Sequence, residues 1–359
     1  MPLRLVAGRA GSGKTTHCLD AVRRRLAESR IRGPRLLLIV PEQAALQTER
    51  ALLERSPYKT LGRCEVLGFR RLARRILDSV TSPLPRTISA TGREMILRRL
   101  ISRHRRELGV FAAVADKPGF VPVLADAFGE LLQHAVRPDR LRSAAPADHP
   151  PDDTSVRVIQ ETAALFDRYE AYLGTEAVDP DALLTLAARH VHAADWLNGA
   201  QIWLDGFAGL TPQQLELLTA LAAKSAEMEV ALLLDPASPC IADPNRPEDP
   251  VSTFERVEAT WREIARAVHA AGVAIAPPVL LNQTVPHRFV KNPDLARLER
   301  DLFHVEVRRD LSPVKELLLP AASPGKPGAE APALRLLCHR CSCRSRGGGA
   351  RNPPALCHP

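Results

Sequence analysis

Gly8-Arg9-Ala10-Gly11-Ser12-Gly13-Lys14-Thr15 fills the pattern G-x-x-x-x-G-K-(S/T) with no position missing, and a second threonine, Thr16, follows it. The chemistry this spacing offers is phosphate binding. Glycines let consecutive backbone N–H groups turn inward around an anion. The lysine reaches the β- and γ-phosphates of a nucleoside triphosphate, and the hydroxyl after it holds Mg²⁺. Gly8, Gly11, Ser12, Gly13, Lys14, Thr15 and Thr16 are therefore read as one nucleotide-binding set. Such a site also needs a carboxylate near the metal, supplied from the end of a neighbouring strand. Asp205, after the apolar Ile202-Trp203-Leu204, is the residue assigned to that position. Asp235, after Val230 to Leu234, could take a sensor-like place beside the phosphates. Aspartates also end strands and open turns for purely local reasons, so both keep a structural alternative.

Arginine is the second signal. Phe69, Leu72, Ala73, Ile76, Leu77 and Val80 recur at helical spacing, and the opposite face carries Arg70, Arg71, Arg74 and Arg75. A later segment carries Arg93, Arg98, Arg99, Arg103, Arg105 and Arg106. Guanidinium groups pair bidentately with phosphate, so these faces could follow a nucleic-acid backbone. The alternative is a solvated helix face, and the scarcity of interleaved aromatics argues against a base-stacking platform there. The seven cysteines give little. Cys338-x-x-Cys341-x-Cys343, with His339, Cys357 and His358, lacks the paired spacing and folded scaffold of a structural zinc site, and no metal site is assigned to it.

The elements that must position these residues are legible from periodicity. Leu3 to Ala7 reads as a buried strand leading into the loop, and Thr16 to Glu28 as a helix with Leu19, Val22 and Leu26 on one face. Arg35 to Val40 is a continuous apolar run, as expected of a strand covered on both sides. A helix from about Ala44 to Glu54 and a strand Cys64–Leu67 follow. From Arg86 to Asn198 the pattern is helical. It opens with a capping box of Thr91 and Glu94 on a helix through about Leu108, and continues near 120–135, 155–173 and 181–193. Strands return at Gln201–Asp205 and Glu229–Asp235. Between them Thr211-Pro212-Gln213-Gln214 starts a helix, and another spans Thr253 to Ala271. The implied architecture is α/β: a P-loop NTPase (RecA-like) parallel sheet with a helical insertion domain between its third and fourth strands. Residues 1–85 and 199–305 form the α/β domain, and 86–198 form the insertion. Residues 306–359 form a linker and an irregular tail, read as aberrant or truncated.

Composition sets the outer bounds. With 359 residues, 45% hydrophobic and 25% charged, the chain is that of an ordinary globular protein with room for two domains. No apolar stretch is long enough to cross a bilayer, and Arg4 interrupts the N-terminus too early for a signal peptide. A cytoplasmic protein without a membrane partner is expected. A net charge of +8 favours an acidic partner such as nucleic acid.

Taken together, several blocks resemble the AddB subunit of bacterial AddAB-type helicase–nucleases, whose N-terminal part is similar to a superfamily-one DNA helicase. They are Gly8–Thr16; Leu37 to Gln43 leading to Gln47-Thr48-Glu49; Glu65 to Ala73; Trp203-Leu204-Asp205-Gly206-Phe207 with Leu210 to Gln214; and His287-Arg288-Phe289 ahead of Leu295 to Glu299. They occur in the family's order over about residues 3 to 303. The resemblance implies ATP and Mg²⁺ at the glycine loop, a role in processing double-strand breaks for recombination, and DNA as a partner. It also implies help in recognising a regulatory sequence in single-stranded DNA, and an AddA-like helicase/nuclease subunit that carries the main motor. The family's C-terminal nuclease domain, with its iron–sulfur cluster, has no counterpart among these residues. The resemblance fades near Leu319, and the tail reads like sequence from a shifted frame. Past Glu330, the other reading frames of the gene are expected to recover family-like helix. No glutamate follows Asp205 and no glutamine follows Asp235-Pro236, so nucleotide binding with slow or no hydrolysis is expected. Two other readings stay open: a small-molecule P-loop kinase, and a scaffold that binds nucleotide without hydrolysing it.

Overall fold

The computed structural model describes residues 2–54, 60–80, 85–145, 150, 153–174, 177–247, 249–282 and 287–301. Residues 2–299 make one compact unit. Its first half alternates strand and helix: β1 (Pro2–Gly8), α1 (Lys14–Glu28), β2 (Leu36–Ile39), α2 (Ala45–Glu54), β3 (Cys64–Leu67) and α3 (Phe69–Val80). A mainly helical stretch follows, with β4 (Arg86–Thr87), α4 (Ala90–Arg103), α5 (Phe120–Gln133), α6 (Pro138–Ser143), α7 (Thr154–Leu173), β5 (Ala177–Val178) and α8 (Leu183–His190). The alternation then resumes as β6 (Gln201–Leu204), α9 (Pro212–Lys224), β7 (Glu227–Leu233), α10 (Glu255–Ala270), β8 (Ala274–Leu280) and α11 (Pro293–Asp301).

Six strands form one sheet in the order β3-β2-β6-β7-β1-β8, and every pairing in it is parallel. Side chains alternate across a pleated strand, and β2 shows the result. Leu37 and Ile39 face a core shared with α3, α8, α9 and α10, whereas Leu36 and Leu38 face α1 and α2. Covering both faces buries all four residues, which is why the run is continuously apolar. A third core, with Leu97, Ile101, Phe128, Phe166 and Tyr169, lies among α4, α5 and α7. α8 sits within the 86–198 segment, yet Leu183, Leu184 and Ala187 pack it onto the core of the sheet.

The structure corrects three local expectations. α4 is capped by Ser89, whose hydroxyl accepts from Gly92 N–H, and not by Thr91; the helix stops at Arg103, before Leu108. Arg93, read from sequence as part of a basic face, is buried. Its guanidinium donates to Asp179 (Nε to Oδ2, 2.8 Å), to Asp181 and to Ala125 O. Asp179 is wholly buried and also takes the Tyr169 hydroxyl, so this network joins α4, α5 and α7 to the strap entering α8. β8 is an additional sixth strand. Its Pro277-Pro278 removes two N–H donors, which a sheet tolerates only at an edge, where β8 lies beside β1. The capping box at Thr211 and Gln214 is present as read. Among the described residues no helix is long and apolar enough to cross a membrane. The tail cysteines lie outside the described residues, and Cys18, Cys64 and Cys240 are buried thiols.

Candidate nucleotide-binding site

In a parallel sheet all strands end on the same edge. The C-terminal ends of β1, β6 and β7 therefore deliver the glycine loop, Asp205 and Asp235 to one place. The loop leaves β1 at Gly8, where a Cβ would lie 2.3 Å from Ser12 Oγ, so a larger residue there would force the Ser12 side chain to move. It enters α1 at Gly13, whose φ of +95° lies far from ordinary L-residue geometry. Gly13 has no side chain to cap the helix, so the first N–H groups of α1 stay directed at the loop. Ser12 is buried, and among the described residues its hydroxyl has no hydrogen-bond partner. Thr15 and Thr16 are exposed on the first turn.

Lys14 turns back onto its own loop. Its Nζ donates to Gly8 O at 2.8 Å and Arg9 O at 2.9 Å. Burial pushes its pKa below the ordinary lysine value, against the opposing charges of Asp205, Glu299 and Cys18. Asp205 is thus close enough to act on Lys14. It is itself buried, with its N–H held by Ile39 O at 3.0 Å. Asp235 meets the loop through Arg9, whose NH1 lies 3.0 Å from its Oδ2.

Several residues at this site carried no role in the sequence reading. Arg9 occupies a variable position of the motif, yet it bonds Glu299 through Nε (3.1 Å to Oε1) and lies over the Phe254 ring, 5.5 Å from its centre. Arg288 N–H donates to Gly11 O at 3.3 Å, and a Cβ on Gly11 would lie 3.0 Å from the Phe289 ring. Behind α1, Glu229 accepts from Trp203 Nε1 (3.1 Å) and Arg4 NH1 (3.3 Å), and bonds His17 Nε2 at 3.1 Å. Burial works to raise the Glu229 pKa, but His17, Arg4 and Trp203 outweigh it and hold it below the usual carboxylate value. No sequence pattern marks these contacts, because they join residues far apart in the chain.

The four arginines of α3 do not form one free face. Arg70 pairs with Asp181 at 3.5 Å, and Arg75 pairs with Glu65 at 2.9 Å while covering the Trp196 ring. Arg71 and Arg74 are exposed and, among the described residues, make no ion pair. Arg70 also lines a cavity of about 250 Å³ at the ends of β2 and β6, together with Gln43, Phe69, Gln133 and Phe207. Phe69 and Phe207 meet edge-on there, with ring centres 5.3 Å apart. Among the described residues no group of three His, Cys, Asp or Glu could by itself hold a metal ion.

The family model described as "ADDB, N-terminal" matches residues 5–299. The chain is 36% identical over 340 residues to the B subunit of the ATP-dependent helicase/deoxyribonuclease of Desulforudis audaxviator, covering 94% of this chain and 28% of that protein. It is 35% identical over 305 residues to the protein of the same name in Symbiobacterium thermophilum, covering 84% of this chain and 26% of the relative. The Moorella thermoacetica protein of that name is 35% identical over 340 residues, 94% of this chain and 29% of its own. The chain thus spans a little over a quarter of the length of the curated relatives it matches.

Proposed function

The chain belongs to the AddB N-terminal family, and on that premise we propose that residues 2–299 are the ATP-binding, DNA-binding, helicase-like module of the AddB component of an AddAB-type helicase–nuclease. In this reading the sheet is a P-loop NTPase (RecA-like) core with the helices of 86–198 inserted into it. It acts in the cytoplasm beside an AddA-like helicase/nuclease subunit, on the ends of broken DNA. The observation that carries the reading is the loop itself. A helix start with no side-chain cap, a buried Ser12 hydroxyl without a partner among the described residues, and a lysine parked on the loop's own carbonyls are groups that a phosphate would satisfy.

Gly8, Gly11, Ser12 and Gly13 shape the cradle. Lys14 reaches the outer phosphates, Thr15 and Thr16 offer hydroxyls to the metal side, and Asp205 supplies the carboxylate facing it. Bound Mg·ATP brings a compact negative charge and the ion that orients it. Asp205 is followed by Gly206-Phe207, so no side chain in that position prepares a water, and turnover is slow. Single-stranded DNA lies along Arg70, Arg71 and Arg74. Phe207 provides a stacking surface beside the amides of Gln43 and Gln133, a pairing of groups suited to unstacked bases. Arg75, held by Glu65 and Trp196, has a lesser part.

The test is Mg·ATP affinity and turnover on the purified chain, with and without single-stranded DNA, beside Lys14→Ala. The expected result is binding that weakens at least about tenfold in Lys14→Ala, matching the loss of one charge-assisted contact or more, with little turnover. Robust DNA-stimulated hydrolysis that disappears in Lys14→Ala would overturn the slow-site reading. Equal ATP affinity in both proteins would remove the loop from the function.

A further inference from the structure

We infer that Arg9 and Glu299 form a nucleotide-responsive latch, in which the phosphate loop holds α11 when empty and releases it when filled. The inference rests on the nucleotide-binding reading above. Arg9 is anchored to α11 twice: Nε bonds the Glu299 carboxylate at 3.1 Å, and NH2 bonds the Glu299 carbonyl at 3.0 Å. The side chain binds one group and the backbone another, so the grip is on the helix and not on a mobile side chain alone. NH1 ties the same guanidinium to Asp235 at the end of β7, and Phe254 lies against its plane. Both partners are largely sheltered, with side-chain exposures of 27% and 18%. The loop's main chain is engaged as well, because Arg9 O accepts from both Lys14 Nζ and Ser12 N–H.

A triphosphate changes each of these contacts in the same direction. Lys14 must leave Gly8 O and Arg9 O to reach it, which frees the main chain at Arg9. The incoming charge attracts the Arg9 guanidinium and repels the carboxylates of Glu299 and Asp235, which now occupy part of the anion's electrostatic place. Glu299 is already one of the charges acting on Lys14, so it competes with phosphate for both cations. Once Arg9 turns to the phosphate, α11 loses a side-chain anchor and a main-chain anchor together. Arg288 and Phe289, just ahead of α11 in the chain, also touch the loop, at Gly11. Glu299 and Arg9 are positioning residues here, coupling the loop to a helix. By linkage, whatever ATP does to α11, the state of α11 must do in equal measure to ATP affinity.

That reciprocity supplies the test. Amide hydrogen exchange is followed on the whole chain, with and without Mg·ATP, for the wild type and Glu299→Gln, and ATP affinity is measured on both. In the wild type, ATP is expected to slow exchange across residues 8–16 and to speed it across 295–299. Glu299→Gln keeps the main-chain anchor but loses the carboxylate charge, so without nucleotide it is expected to exchange faster across 295–299 than the wild type, to speed up less on adding ATP, and to bind ATP about fivefold more tightly, at the low end of typical coupling. Slowed exchange at 8–16 with unchanged or slower exchange at 295–299 would overturn the latch and leave the nucleotide site standing. A loosened α11 in Glu299→Gln with unaltered ATP affinity would reduce the contact to a structural one and likewise overturn it. No protection at 8–16 and no binding would overturn the nucleotide site, and the latch with it.

Discussion

Arg93 separates two meanings of an arginine-rich helix. Composition groups it with Arg98, Arg99 and Arg103 as a surface for phosphates, whereas the structure seals its guanidinium against Asp179, Asp181 and Ala125 O. Replacing Arg93 with alanine leaves Asp179, which is 0% exposed, with the Tyr169 hydroxyl and the Asp181 N–H but no cation. It also strips the Ala125 carbonyl of its side-chain donor. Removing one partner of a buried, hydrogen-bonded pair costs about 3–5 kcal/mol, mostly from the charge left behind. In a unit of this size 1 kcal/mol moves the midpoint of thermal unfolding by about 2 °C, so Arg93→Ala is expected to melt roughly 6–10 °C below the wild type. Arg93→Lys keeps the charge but loses the forked geometry that serves two carboxylates and a carbonyl together, and is expected to fall between the two. Circular dichroism melts and single-stranded DNA titrations on the three proteins decide the matter. An unchanged melt with DNA affinity reduced several-fold would refute the structural assignment and return Arg93 to the binding face.

Further outcomes follow from the loop and from the network behind it. Gly13→Ala meets no atom of the described residues within 4 Å, so its effect is backbone strain, about 1–2 kcal/mol, read as weaker ATP binding with a small loss of melting temperature. Gly8→Ala drives a methyl group into Ser12 Oγ; adding Ser12→Gly removes that clash but leaves Leu281 Cβ at 3.1 Å, so it is expected to recover part of the lost melting temperature. Glu229 titrates below the usual carboxylate value in the folded chain, so its stabilising share is complete above the unfolded carboxylate range. That share is lost as pH falls through the lower folded value. Glu229→Gln should therefore flatten the acid limb of the stability–pH curve, seen as a smaller difference between melts at neutral and acid pH.

How far the sequence carries depends on the range of the interaction. The loop and the central strands are legible because each is specified within a few residues: glycine spacing at Gly8–Thr15, unbroken apolarity at Leu36–Ile39, cap and proline at Thr211-Pro212. β8 is not, since two prolines and mostly exposed side chains erase both the propensity and the period of a strand, and only its pairing with β1 defines it. Arg93 looks like any surface arginine until Asp179, 86 residues on, is brought beside it. The same holds for Arg9 and Glu299, separated by 290 residues, of which the motif names neither as functional. The blocks that resemble the AddB family include Arg288 and Glu299, but resemblance alone assigned them no contact.

The strand order also sets a schedule for synthesis. β1 is made long before its neighbours in the sheet, β7 and β8. The contact between Arg4 and Glu229 spans 225 residues. β2 and β3 can pair early, but β6 and β7 must later slide between β2 and β1 to join the two parts. The glycine loop therefore has no fixed floor until β7, more than two hundred residues later, has been made. Until then β1 is an apolar parallel strand without a partner, a species that folds slowly and aggregates readily. Expression at lower temperature or with chaperones present should raise the soluble yield of the chain more than that of a protein whose sheet is built from consecutive strands.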